Sequence, residues 1–105
     1  MRRDERAIPA WLGALDDEDC AFVRRFILTS GSLKELAGEY GVSYPTVRGR
    51  LDRLIEKVRV AEDPRISDPF VRKVRMLVAD GELAPALAKE LLEAHRASLR
   101  KGESS

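Results

Sequence analysis

Apolar residues recur at helical spacing through most of the chain. Val23, Phe26 and Ile27 stand three and four apart, with Cys20 and Phe22 nearby, and predict a helix starting at Asp16 or Asp17. Asp16 to Asp19 is an unbroken acidic run suited to the positive end of a helix dipole, with Asp16 as the N-cap. It reads as a helix start rather than a cation site, because calcium loops alternate their ligands around a glycine turn. Arg24 and Arg25 lie off the apolar face, Cys20 is expected as a small buried hydrophobe, and Ser30-Gly31 ends the helix. Ahead of it, Ile8, Trp11, Leu12 and Leu15 are interrupted by Pro9 and Gly13. They predict a short helical turn or an extended arm packed on the core, with Trp11 buried, after a frayed charged segment over residues 1–6.

Ser32-Leu33-Lys34-Glu35 has the capping-box pattern S-x-x-E and opens a second helix striped by Leu33, Leu36, Ala37 and Tyr40. Gly41 stops it. After Gly41-Val42-Ser43 a third helix begins, with Ser43 at its cap, Pro45 in its first turn, and Val47, Leu51, Leu54, Ile55 and Val58 on one face to about Val60. Residues 61–67 read as a linker broken by Pro64, which favours some separation of the C-terminal helices. Asp68-Pro69 starts a fourth helix, from Phe70 to about Ala79, that carries Phe70, Val71, Val74, Leu77 and Val78. Pro85 opens a fifth whose apolar face is Leu87, Ala88, Leu91, Leu92, His95 and Leu99, and the polar tail from Lys101 to Ser105 is expected to be disordered. No strand-period stretch or internal repeat appears. The expected fold is all-α: a three-helix helix-turn-helix domain over residues 7–60, followed by a two-helix hairpin over 68–100.

Composition narrows the function. Within 105 residues, 19 Lys and Arg balance 18 Asp and Glu for a net charge of +1. A histone-like, globally basic binder is excluded, so any nucleic-acid contact must come from a local patch. One Cys and one His cannot supply the four ligands of a zinc site or an internal disulfide, and neither metal nor cofactor is expected. No apolar run approaches the roughly 20 residues of a membrane span. The segment from Met1 to Arg6 lacks the apolar stretch of a signal peptide, so a cytoplasmic protein without a membrane partner is expected.

The most informative stretch is Ser32 to Ile55: helix, glycine turn, helix. Ala37 is small where the two helices cross, Gly41 allows a left-handed turn, Val42 plugs the core, and Val47 packs the second helix back on the first. From Ser43 to Val60 the basic residues Arg48, Arg50, Arg53, Lys57 and Arg59 outnumber Asp52 and Glu56, giving a local +3. Residues 1–20 carry a local −3. Such a patch suits double-stranded DNA. The plainer reading is a solvated face with i,i+4 pairs worth tenths of a kcal/mol.

On a helical wheel Pro45, Gly49, Asp52, Arg53 and Glu56 point away from the apolar face, with Arg48 and Arg50 flanking it. The first turn of a recognition helix meets base edges, which nominates Tyr44, Pro45 and Arg48; Arg48 suits a bidentate grip on guanine. Ser43, Thr46, Arg50, Arg53 and Lys34 are assigned to phosphates. Gly49 leaves part of that face bare and Asp52 opposes phosphate. Tyr44 has an equal claim to covering the turn, and His95 reads as a core or interface histidine.

Gly31-Ser32-Leu33-Lys34-Glu35, Gly41 through Arg48 and Arg50-Leu51-Asp52 resemble an uncharacterised bacterial family of candidate regulators that share a "GNLKE…LGISYPTVR.RLD" motif. The resemblance spans residues 7 to 60. Longer members carry an N-terminal zinc ribbon of paired CxxC motifs, which this chain lacks. The region from Leu77 to Leu92 is similar to the helical pair that often follows, and the motif also resembles the helix-turn-helix of sigma-factor region four. The resemblance implies transcription-related DNA binding.

A two-helix unit buries little alone, so the C-terminal hairpin is expected either to fold back or to form a homodimer as a four-helix bundle. Beside the DNA-binding regulator stands a protein–protein interaction module of the transcription machinery, favoured by the neutral overall charge and bare Gly49. An enzyme is not expected, since no nucleophile–base pair or phosphate-cradling loop is visible.

Overall fold

The computed structural model describes residues 8–104, and over them the chain is all-α. The helices are α1 (Ala10–Gly13), α2 (Asp17–Leu28), α3 (Leu33–Tyr40), α4 (Tyr44–Glu62), α5 (Pro69–Ala79) and α6 (Pro85–Ser104). The expected fraying of residues 1–6 lies outside the described residues.

Local chemistry sets each boundary. At the start of α2 the Asp16 carboxylate accepts from the Asp19 amide at 2.8 Å, and the Asp19 carboxylate accepts from the Asp16 amide at 3.1 Å. This reciprocal box satisfies two donors that a helix start otherwise leaves open. It also holds the Asp16 carboxyl below its ordinary 3.8, chiefly through the backbone bond. α3 is capped as expected, with the Ser32 hydroxyl accepting from the Glu35 amide at 3.1 Å. Gly41 is left-handed at φ 68°, and the Val42 amide reaches back to the Ala37 carbonyl at 3.0 Å. Ser43 holds the cap position of α4, but its hydroxyl bonds the Thr46 hydroxyl at 2.9 Å instead of a backbone amide.

Phe22, Leu36, Ala37, Val47 and Leu54 form the core of α2, α3 and α4, with Leu15, Val23, Phe26, Leu33 and Leu51 packed around it. α1 packs along α4 and leaves Trp11 half-buried rather than buried. Cys20, expected inside, is exposed. The inward positions of α2 are Asp19, Phe22, Val23 and Phe26, at i, i+3, i+4 and i+7; Cys20 is about 100° away, on the side that also exposes Ile27.

Residues 61–67 do not set the C-terminal helices apart. α4 runs on to Glu62, Ala61 and Ile66 are buried, and α5 lies directly against α4. Arg72 accounts for this: its guanidinium donates to the carbonyls of Val60, Ala61, Asp63 and Ile66, the second at 3.0 Å and the third at 3.1 Å. One side chain of α5 thus closes the C-terminal end of α4, where carbonyls lack intrahelical partners.

Asp68 caps α5, accepting from the Phe70 amide at 2.8 Å. α6 packs on α5, and the expected disordered tail is instead helical as far as Ser104. No proline interrupts it, and Lys101 in the last turn suits the negative end of the dipole. The radius of gyration is 17.5 Å, against about 13 Å for a compact chain of this length. Among the described residues no helix is long and apolar enough to cross a membrane, and no group of His, Cys, Asp and Glu is arranged to hold a metal ion.

Candidate nucleic-acid interface

The turn at Gly41 presents the first turn of α4 at the surface. Tyr44 is 51% exposed, and Ser43, Pro45, Thr46 and Arg48 are exposed around it. Lys34, in the first turn of α3, is exposed as well. Arg48 pairs with Asp52 at 3.2 Å on the open surface, and Arg59 with Glu56 at 2.9 Å. Pairs of this exposed kind contribute a few tenths of a kcal/mol, so either arginine exchanges its carboxylate readily for another anion.

The remaining basic residues of α4 face elsewhere. Arg50 is half-buried, donates to Asp19 at 3.2 Å, and lies 5.8 Å from the centroid of Phe22. Arg53 is exposed, with its aliphatic stem beside the backbone of Gly81 in the turn between α5 and α6. Lys57 is buried. Its ammonium pairs with Asp19 and, at 3.3 Å, with Asp80. Burial pushes the Lys57 ammonium down, but the hydrogen bonds to Asp19 and Asp80 outweigh it and hold it above the ordinary 10.5.

The local +3 is therefore not one surface. Lys57 belongs to an internal charge cluster, Arg50 leans into that cluster, and Arg48 stands on the outward face with Tyr44 and Pro45. The cluster ties α2 through Asp19, α4 through Lys57 and Arg50, and the α5–α6 turn through Asp80. Its signal in the sequence is an acid on the apolar stripe of α2 and a lysine on that of α4, Lys57 standing three residues after Leu54. At the other end of the hairpin the His95 ring stacks on Phe70 at 4.3 Å and its Nε2 lies 2.6 Å from the Asp68 carboxylate.

Residues 15–61 match a family model described as "Domain of unknown function (DUF2089)-HTH". No curated protein and no solved structure matches the chain. The matched span takes in α2, α3 and all but the last residue of α4, the three helices that share the core. Residues 15–61 are thus similar to an uncharacterised domain built on a helix-turn-helix.

Proposed function

We propose that the chain is a DNA-binding transcription regulator that lays the start of α4 in the major groove. The observation that carries the reading is the outward face of a helix-turn-helix on which Tyr44, Pro45 and Arg48 stand exposed together. Arg48 is assigned to a guanine edge, and Lys34, Ser43 and Thr46 to flanking phosphates. Arg50 and Arg53 are assigned to phosphates at the rim, since their stems lean toward α2 and the α5–α6 turn. The protein acts as a binder without catalysis, metal or cofactor, in the cytoplasm, as a homodimer held through its C-terminal hairpin.

The test is fluorescence anisotropy on labelled genomic duplexes at low and moderate salt. Binding that persists for a subset of fragments and weakens steeply with salt supports the reading. Weak binding equal for every fragment, or none, overturns it.

A second reading makes the same face a protein-docking surface of the transcription machinery. It is favoured by Asp52 beside Arg48 and by the internal engagement of Lys57 and Arg50, which leave that face little net charge. Salt-insensitive binding to a protein partner, without DNA affinity, would select it.

A further inference from the structure

We infer that α6 pairs with α6 of a second copy of this chain, antiparallel, along the row Leu87, Leu91, His95 and Leu99; this rests on the homodimer included in the reading above. The row repeats every four residues and winds slowly around the helix, by about 40° per step. Leu87 is 47% exposed, Leu91 38% and Leu99 51%. Phe70, stacked on His95, adds a ring that is 41% exposed. Exposed apolar side chains gathered in this way around the half-buried His95 mark an interaction face.

Among the described residues, the row extends beyond the α5 side chains that meet it at His95. His95 sits against Asp68 and Phe70 at the start of α5, while α6 continues to Ser104. At 1.5 Å per residue that is roughly 13 Å of helix past the end of the hairpin, and it carries Leu99.

Charge selects the occupant and its direction. The first half of α6 carries Lys89, Glu90 and Glu93, a net −1, and the second half Arg96, Arg100, Lys101 and Glu103, a net +2. A parallel copy would set basic end on basic end. An antiparallel copy sets the basic end of each helix against the acidic half of the other, with Glu90 of one copy beside Lys101 of the other. The same crossing brings Leu91 of one copy beside Leu99 of the other, because both pairings are centred at His95 to Arg96. Twofold symmetry makes each contact twice.

The experiment is sedimentation equilibrium on the full chain, with circular dichroism to verify folding. The wild type is expected to dimerise at tens of micromolar, and Leu99→Glu to be a folded monomer. Glu90→Lys and Lys101→Glu each weaken the dimer by roughly tenfold, since symmetry counts one exposed ion pair twice. The double variant restores it. A monomeric wild type overturns the inference, as does a double variant that dimerises no better than either single one. DNA anisotropy on the same samples separates the two claims. A dimer without DNA affinity keeps this inference and sinks the regulator, whereas a monomer that binds DNA does the reverse.

Discussion

Lys57 of α4 and Asp19 of α2 form an ion pair buried between the two helices, with Asp80 of the α5–α6 turn as a second acceptor for the same ammonium. Removing one member of such a pair leaves an uncompensated charge inside, whereas replacing both with apolar groups is often neutral. Asp19→Ala is therefore expected to lower unfolding stability by about 3 kcal/mol, the low end of the cost of an unpaired buried charge, because Asp80 still holds the ammonium. The double variant Asp19→Leu with Lys57→Met should recover most of it, less the capping bond of Asp19. Urea denaturation of the three proteins checks this; equal losses in the single and double variants would refute it.

Arg72 serves four carbonyls with one planar fork. Lysine offers a point charge without that fork. Arg72→Ala should destabilise by about 2–3 kcal/mol as several part-buried acceptors lose a charged donor. Arg72→Lys should restore less than half of the loss in the same denaturation series. Full restoration would mean that charge at the end of α4 matters and geometry does not.

Arg48 and Arg50 differ by two residues and should separate binding from stability. Arg48→Ala is expected to cost about 1–3 kcal/mol of DNA affinity and to relax sequence preference, with stability within about 0.5 kcal/mol of wild type. Arg50→Ala should cost more stability than Arg48→Ala and less affinity, because its guanidinium already bonds Asp19 and meets a phosphate only at the rim. Anisotropy and melting on both variants decide it; equal effects on affinity would erase the distinction.

Acid should loosen the fold by a defined route. Asp68 lies below its ordinary 3.8 because His95 bonds it and the Phe70 amide adds a second bond. Asp16 is lowered by its backbone bond to Asp19, and the Arg65 side chain brings Asp63 down to about 2. Each depressed group contributes stability that is present above 3.8 and lost as pH falls through its folded value. The urea midpoint should hold to about pH 4 and then fall toward pH 2. Asp68→Asn should flatten part of that limb, and an unchanged slope would clear Asp68. Lys57, raised above 10.5, works the other way: its contribution is lost only as pH climbs through that raised value.

Much of this architecture is written in local signals. Asp16, Ser32, Gly41 and Asp68 stand where caps and turns need them, and those requirements act within a few residues. The features that escape a local reading depend on distant partners. Lys57 reads as one more surface cation because its neutralising carboxylate lies 38 residues earlier in the chain. Arg72 gives no sign that it closes α4, since backbone carbonyls leave no trace in composition. Cys20 escapes as well, because an acid, Asp19, holds the inward position that an apolar pattern assigns to a hydrophobe. Of the candidate site, Pro45 is outward as a helical wheel places it, and Tyr44 and Arg48, nominated by their place near the first turn, are exposed beside it, whereas the wheel says nothing of the pull that Asp19 exerts on Arg50.

The buried lysine also fixes an angle. Lys57 and Arg48 are nine residues apart, which at 100° per residue sets them on opposite sides of α4. An apolar seam tolerates some rolling of a helix, because one hydrophobe substitutes for another. A single ammonium with two carboxylates waiting for it does not. Asp19 and Asp80 thereby act as a key that stops α4 at one azimuth, and the direction in which Arg48 points is decided by charges on the far side of the helix.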